Sequence, residues 1–490
     1  MKIKQLLAIA VTVAFSETAY AQYAEDALRF STSGQGSTSR AKALGNAFTA
    51  VGGDLTSVSS NPAGLGFFTK SEFSLTPEFN GSNVKSTFFN NNLTDSKDNI
   101  NLNNVAAVFY SRLNSPQGAD KTKGWLSLNF GIGYNRTNNF YENSNYSGIN
   151  PNNSIADYYA ELGNNFSLEE GSLQQWAYDQ NLIDQYNSGL YEPNTFLNAT
   201  QSSHTIRSGG QSEISLAMGT NYSNQLYLGL GVGISNIRYN STSTFTEEGT
   251  ASILDANSNA VDRDYISDFA TDQITKGTGI NARLGLIYKP VEAVRIGATF
   301  TTPTWYTIDD SYSEGLNTSF IGGDRFRSGP VYYDYTYNLR TPAKVNGGMA
   351  VFIQQYGFLS ADVEFIDYTN MKLSSDGVPL SDDNKKVLQN YKSAVNYRLG
   401  AEAKLDQFFL RGGFGIQGNP YKNLNNSDFQ TQTISGGVGY RVNNYYVDLT
   451  YNNVSTNSRA LPYLLDGGDA PEASFKKKND NVFLTFGVRF

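Results

Sequence analysis

From about residue 70 to its last residue, this 490-residue chain repeats one pattern. Apolar and polar side chains alternate over runs of roughly eight to twelve residues, the mark of strands with two different faces. Leu126, Leu128, Phe130, Ile132 and Tyr134 alternate with Ser127, Asn129, Gly131 and Gly133. Leu226, Leu228, Leu230, Val232 and Ile234 alternate with Tyr227, Gly229, Gly231 and Gly233, and Ser223-Asn224 before them reads as a tight hairpin turn. In the final run Val482, Leu484, Phe486, Val488 and Phe490 share one face, and the chain closes on that phenylalanine. The runs number roughly 14, an even count as a single-chain up-and-down barrel requires.

The composition suits a barrel whose outside is lipid and whose inside is wet. Aromatics are 13% of residues, with 32 Tyr and 46 Gly, yet the mean hydropathy is −0.41. Crossing a bilayer with helices takes runs of about 18 or more apolar residues, and none follows the N-terminal segment. A transmembrane β-barrel instead needs an apolar exterior, a polar lumen and aromatic girdles. With no cysteine there is neither a disulfide framework nor a thiolate metal site. A net charge of −8 speaks against nucleic acid as a partner. The one histidine, His204, stands in a polar stretch without a Ser or Cys constellation, so an enzyme is not expected. No cofactor is expected either; tyrosine can ligate haem iron, but no spacing here supports it.

Residues 1–21 read as a secretory leader. Lys2 and Lys4 form its basic region, Leu6–Phe15 its apolar run, and Ala19-Tyr20-Ala21 a small-x-small cleavage site that puts the mature start at Gln22. Connections alternate in length after that. Short ones are expected near Asn114–Lys123, Ser223–Asn224, Lys289–Glu292, Gln354–Gln355, Asp406 and Asn443. Long ones are expected near Val84–Asn101, Asn143–Ser208, Gly249–Gly277, Asp310–Tyr332, Ser374–Asn390, Tyr421–Gln430 and Asn457–Lys476. Short periplasmic turns and long external loops alternate in this way in outer-membrane barrels.

One stretch breaks the alternation. Ser39–Phe68 is rich in small residues, and Ala41, Leu44, Phe48 and Val51 recur at helical spacing. Gly52-Gly53 is expected to stop that helix, and Asp54 to cap a second short one. Asn61 before Pro62 is pushed out of the helical region, and Gly64 and Gly66 leave the following backbone free to shift. A compact non-alternating segment ahead of a barrel reads as a plug.

The longest loop carries helices of its own. Ile155, Tyr158, Tyr159 and Leu162 form one stripe; Ser172 with Gln175 reads as a capping box ahead of Leu173, Trp176, Ala177 and Ile183, with Gly189 as a stop. The stripe either collects hydrophobic ligand or packs the loop on the rim. Asp362, Glu364, Arg398, Glu402, Lys404, Arg411 and Asp448 should face the lumen, as ion pairs or as a substrate path, because a basic residue facing lipid costs about 2–4 kcal/mol at the midplane. Lys476-Lys477-Lys478 near the outer end of the last strand either meets lipopolysaccharide phosphates or is solvated. Gly229, Gly231 and Gly233 are small residues on one barrel face rather than a nucleotide loop. Asp255, Asn257 and Asn259 open like a calcium loop, but Ala260 replaces its glycine and Ile266 its bidentate carboxylate.

The segment STSRAKALGNAFTAVGGDLTSVSSNPAGLGFF, with Asn61, Pro62 and Ala63 as its signature, resembles the plug region of the FadL/TodX family of outer-membrane transporters. YKPVEAVRIGATFTTPTW, LRTPAKVNGGMAVF, ADVEFIDY and NYRLGAEAKL resemble the family's strands. The resemblance implies a 14-stranded barrel (71–490) with an N-terminal hatch (22–70), located in the outer membrane. It implies passive uptake of hydrophobic small molecules, most of all long-chain fatty acids, with haemin or aromatic hydrocarbons as alternatives. In that family, ligand captured by external loops passes to a site inside the barrel and leaves sideways beside a kinked strand. A plugged surface adhesin is the reading from another class. Expected substrate-binding residues are Asn61, Pro62, Ala63, Phe67 and Phe68 of the plug, with Tyr158 and Trp176 of the loop. Expected partners are the ligand, outer-membrane lipid with lipopolysaccharide, and the barrel-assembly machinery reading the terminal Phe490.

Overall fold

The computed structural model describes residues 17–490 except 33, 35, 115–119, 187–188, 256, 423, 425–428 and 469, with side chains from Tyr23 onward. The expected leader elements Lys2, Lys4 and Leu6–Phe15 lie outside the described residues, as do parts of the connections 114–123 and 421–430.

Fourteen antiparallel strands close into a barrel. They are β1 (Glu72–Phe88), β2 (Asn91–Phe109), β3 (Trp125–Asn139, resuming as Glu142–Asn150), β4 (Ala199–Tyr222), β5 (Leu226–Leu254), β6 (Ala260–Val291) and β7 (Val294–Thr301, resuming as Trp305–Phe320). Then follow β8 (Arg325–Arg340 and Lys344–Ile353), β9 (Gly357–Asp367 and Lys372–Ser374), β10 (Ser393–Leu405), β11 (Phe408–Gln417), β12 (Thr431–Val442), β13 (Tyr445–Ala460) and β14 (Ala473–Arg489). Each strand pairs with its neighbours in sequence, and β1 closes on β14 from Glu72↔Arg489 to Thr87↔Ser474. Closure matters because lipid offers no hydrogen bonds to a sheet edge.

Alternation decides which side chains meet lipid. Leu228, Leu230, Val232 and Ile234 of β5 and Ile280, Leu284, Leu286 and Tyr288 of β6 are exposed outward, as are Leu359, Val363 and Phe365 of β9. Their partners in alternation are buried inside. The short-turn rim is made by tight reversals with left-handed φ at Ser223, Asn224, Gln354, Asp406 and Asn443, as the sequence leads one to expect.

The opposite rim differs from expectation. The connections expected near Val84–Asn101, Gly249–Gly277 and Asp310–Tyr332 are largely strand. Past a bulge between Thr76 and Pro77, β1 and β2 pair without interruption from Pro77↔Leu102 to Phe88↔Asn91, turning at Phe89 and Asn90 with φ of 43° and 63°. β5 and β6 run for 29 and 32 residues and stay paired to Leu254↔Ala260. About 9–11 residues suffice to span a bilayer, so these strands stand far above it. Their outer face meets water there, the outward large apolar residues thin out to Leu254, Ile266 and Ile274, and the alternation that reveals a strand in sequence is lost.

Inside lie α1 (Glu17–Ser31), which runs through the expected cleavage point, α2 (Ser39–Ala43), and two 3-10 helices over Leu55–Val58 and Pro62–Phe67. The helix expected across Ala41–Val51 is only the five residues of α2: Gly45 and Asn46, at φ 62° and 60°, end it, although Leu44, Phe48 and Val51 are buried all the same. Asp54 does cap the next turn, accepting from the Thr56 N–H. Outside, α3 (Ile155–Asn165) and α4 (Leu173–Asp179) sit on the rim. α4 stops earlier than expected, with Asn181 left-handed just past its end, so Ile183 falls in a short ribbon with Tyr191–Pro193 and Gly189 in its turn. Ser172 caps α4, but Gln175 reaches back to the Gly171 N–H rather than closing a box on Ser172.

The plug fits because the inner wall is bare where it passes. A Cβ at Gly229 would collide with the backbone of Pro62 and Ala63, and one at Gly285 with Asn61 Oδ1. Overpacking of this kind typically costs about 1–3 kcal/mol. We expect Gly285→Val to leave a folded, heat-modifiable barrel with an unseated plug, read as increased ion conductance in planar bilayers. Gly347→Ala, where a Cβ meets nothing within 4 Å, should leave conductance at the wild-type level.

Candidate functional site

The plug is fastened to the wall on many sides. Arg40 binds Glu402 through two bonds of 2.7 and 2.9 Å, and Glu402 also accepts from Arg411 at 2.7 Å. Asp362 accepts from the backbone N–H groups of Phe48 and Thr49, both at 2.8 Å, and from the Thr49 hydroxyl at 2.7 Å. Ser39 donates to Thr450 at 2.7 Å, and Ser435 to the Ala43 carbonyl at 3.0 Å. The lumen charges expected from sequence are therefore largely plug anchors and ion pairs, with Arg411–Asp448 at 2.6 Å and Arg398–Glu364 at 2.7 Å. Lys404 departs from this pattern and is exposed near the short-turn rim.

The expected site residues of the plug form part of this fastening. Asn61 caps the second 3-10 helix and donates to the Thr49 carbonyl at 2.7 Å and to the Leu286 carbonyl of β6 at 3.3 Å. Pro62 and Ala63 press on the glycines of β5 and β6. Phe67 stacks on Tyr227 with centroids 3.7 Å apart, under the Arg295 guanidinium. Phe68 is buried with Leu55, Val58 and Leu65. Gly64 and Gly66 are packing positions: a Cβ would strike Ser57 from the first and the Thr220 carbonyl from the second.

Above the plug, α1 lies in an apolar cluster. Phe30 packs edge-on to Phe140 and Tyr239, and Tyr23 to Tyr337. Asp26, fully buried, accepts from Arg29 beside it and from Gln273 of β6. Between α1 and the plug is a polar cavity of about 90 Å³, lined among others by Asn135, Thr137, Glu213, Arg283 and Lys344.

Strand β3 is kinked beside this cavity. Its pairing with β2 runs only from Phe109↔Phe130 to Asn104↔Asn135. Above that point β2 pairs only with β1, and β3 only with β4. β3 bulges between Arg136 and Asn138, then breaks so that Phe140 turns inward to Phe30. Side chains bridge the gap at Asn139, which donates to Asn99 at 3.4 Å, and higher up at Asn145, which donates to Asp95 at 2.9 and 2.6 Å. The opening between is edged with Asn99, Asn101, Arg136 and Thr137, each with a buried polar atom lacking a hydrogen-bond partner among the described residues. On its inner side Asn138 donates to the Thr32 carbonyl at 3.1 Å, and a Cβ on Gly36 would strike the Arg136 backbone.

A larger cavity, about 250 Å³, lies toward the loop rim. Tyr146, Phe245, Phe269 and Phe475 give it apolar walls, and Arg207 and Arg459 give it positive charge. Glu142 pairs with Arg207 at 2.6 Å and with Lys477 at 2.7 Å. The middle lysine of the run 476–478 thus turns to a carboxylate of the lumen rather than to lipopolysaccharide. Neither cavity is lined by any of the seven residues expected from sequence. The signal that could have located the larger one is Arg207 standing within an otherwise polar, uncharged run of β4.

At the rim, Trp176 is 6% exposed and packs with Tyr159, Leu173 and Phe320, whereas Tyr158 is half-buried and faces Tyr463. Exposed apolar residues stand nearby at Tyr178, Tyr186, Leu190, Phe196 and Leu197. Sequence periodicity missed Tyr186, Leu190, Phe196 and Leu197 because they lie outside helix and strand, and Tyr178 because it stands on α4 away from the buried stripe.

A closed 14-stranded barrel with an outward apolar belt and a plugged lumen is an outer-membrane barrel. No family profile and no curated protein matches the sequence. Solved structures share the fold. A FadL homologue of Pseudomonas aeruginosa superposes with a TM-score of 0.53 at 12% identity, over 93% of this chain and 98% of that one. The deltaS2 mutant of TodX, a monoaromatic hydrocarbon channel, superposes with a TM-score of 0.54 at 12% identity, over 93% and 99%. The fold expected from the resemblance is thus found.

Helix α5 (Ser381–Asn390), in the connection from β9 to β10, carries a titratable contact over α1. Asp383 is fully buried and neither of its oxygens has a hydrogen-bond partner among the described residues, so burial raises its pKa to about 7, against the opposing pull of Lys386. An undocked aspartate titrates near 3.9. The docked helix therefore binds a proton that the free one releases, and docking weakens as pH rises from about 4 to 7. Proteolytic nicking of 375–392 should increase between pH 5 and pH 8, and Asp383→Asn should abolish that dependence.

Proposed function

We propose that this protein passively takes up hydrophobic small molecules that carry an acidic head, long-chain fatty acids in particular. The observation that carries this reading is the larger cavity, where aromatic faces and the guanidinium of Arg207 meet in one space. An amphipathic anion satisfies both, since a charge-assisted bond to guanidinium is strong in a partly dry site and a chain against rings is removed from water. Arg207 is paired with Glu142, and Arg459 with Glu472 at 3.0 Å, so an acidic head would join this network as a further acceptor, which a neutral hydrocarbon cannot do.

In this reading residues 1–21 are removed as a leader, 22–70 form the hatch and 71–490 the barrel. The exposed rim residues, with Tyr158, collect ligand, while Trp176 holds their platform. Asn61, Pro62, Ala63, Phe67 and Phe68 fix the plug that forms the floor beneath the ligand. The ligand leaves sideways through the opening beside kinked β3, whose amide edge is hydrated and lets a polar head pass. Phe490 addresses the assembly machinery, and Lys476 and Lys478, exposed on β14, face lipopolysaccharide.

A deletion strain complemented with this gene should regain uptake of labelled oleate more than of toluene or haemin. Arg207→Gln should raise the apparent KM for oleate by about tenfold, the worth of roughly 1.4 kcal/mol, and leave any toluene flux unchanged. Equal loss for both substrates, or preferred uptake of toluene by the unmodified protein, would refute the acidic-head reading. Tyr158→Ala should weaken capture with the loop intact; Trp176→Ala should loosen the loop itself, costing about 3–5 kcal/mol locally.

A further inference from the structure

Two apolar clusters occupy the lumen, and a polar belt separates them. The outer one gathers Trp176, Tyr265 and Phe320 beneath the loop helices, and the inner one gathers Phe30, Tyr239 and Tyr337 around α1. Between these levels β5 turns Ser241 and Ser243 inward, β6 turns Thr271 and Gln273, and β7 turns Asp310 and Glu314. An apolar chain crossing this belt would lie against hydroxyls, amides and carboxylates. β8 is different: Val331, Tyr333, Tyr335 and Tyr337 follow one another on its inward face.

These rings form a connected series. Tyr333 stacks on Tyr312 of β7, centroids 6.2 Å apart at 29°, and both hydroxyls donate to Glu314, at 3.3 and 3.4 Å. Tyr335 meets Tyr23 of α1 edge-on at 6.3 Å, and Tyr23 meets Tyr337 at 5.0 Å. Tyr312, Tyr333 and Tyr335 are half-buried, so part of each ring faces the lumen, whereas Tyr23 and Tyr337 are buried against the inner cluster. Glu314 holds two of the hydroxyls, which fixes the ring planes.

Resting on the reading of hydrophobic uptake, we infer that Tyr312, Tyr333, Tyr335 and Tyr23 form an aromatic bridge that carries the apolar part of the ligand across the polar belt, from the rim cluster to α1. Its inward residues from Tyr333 to Tyr337 cover about 13 Å of strand, a stretch that an acyl chain can lie along while its head stays in the basic cavity. The bridge works through ring faces and not through hydroxyls, those of Tyr312 and Tyr333 being engaged by Glu314.

The test uses the full-length protein in a deletion strain and in detergent, with labelled oleate as probe. Y333S/Y335S should lower the uptake rate by about tenfold or more, with surface level and heat-modifiable mobility unchanged. Y333F/Y335F should keep at least about half the uptake. Tyr335→Ser alone, which loses only the contact with Tyr23, should give an intermediate loss and covers the case in which the double variant misfolds. Wild-type uptake by the serine variants, or equal loss in the serine and phenylalanine pairs, would overturn the bridge. Failure of the unmodified protein to take up oleate would instead overturn the reading on which the bridge rests.

Discussion

The close approach of the plug backbone to a wall without side chains is the constraint on which the rest of this structure depends. Where Pro62 and Ala63 pass β5 and Asn61 passes β6, the wall presents Gly229 and Gly285, and any larger residue would occupy the plug's own volume. Close contact leaves no water between the two, so polar groups on both sides must satisfy one another. They do: Asp362 takes two plug N–H groups, Glu402 takes Arg40, and Asn61 bridges Thr49 to β6. Removing one partner from such a buried set typically costs about 3–5 kcal/mol. A plug held this way is a floor, and on the proposed reading it directs whatever enters from the rim toward the side of the barrel.

That side has an opening whose chemistry fits a head group better than a chain. Asn99, Asn101, Arg136 and Thr137 edge it with polar atoms that have no protein partner among the described residues, and buried polar atoms of this kind recruit water. An acyl chain needs no polar lining to enter lipid; its carboxylate does. On the proposed reading, the polar edge, the basic cavity and the aromatic strand β8 serve one path for a molecule with two unlike ends.

Much of the fold was legible because lipid outside and water inside impose opposite demands on alternate residues. β5 from Leu226 to Ile234 and β14 from Val482 to Phe490 could be read directly for that reason. The same logic fails above the membrane, where β5 and β6 continue to Leu254 and from Ala260 with water on their outer side, so extended hairpins read as loops. The short plug helices were partly legible through Asp54 and Asn61, whose caps need only local sequence, whereas the end of α2 depended on Gly45-Asn46 taking left-handed backbone. The site was less legible than the fold. Arg207, Phe269 and Phe475 come together only when β4, β6 and β14 curve around one lumen, and no local spacing announces it. The inward glycines did carry a signal: Gly229 was recognisable as a small residue on one barrel face, and its cause is the plug pressed against it.

On the proposed reading the plug stays fastened while ligand passes above it and out through the wall beside β3. The chain has no cysteine, so a single introduced pair can pin the plug. Ser39 and Thr450 already meet at 2.7 Å between hydroxyl oxygens, near enough for a disulfide after replacement of both by cysteine. Oleate uptake by this S39C/T450C protein, measured oxidised and then reduced, tests the claim directly. The account predicts the same rate in both states with the barrel electrically closed throughout. Loss of uptake on oxidation, with recovery on reduction, would show that the plug must move and would contradict it.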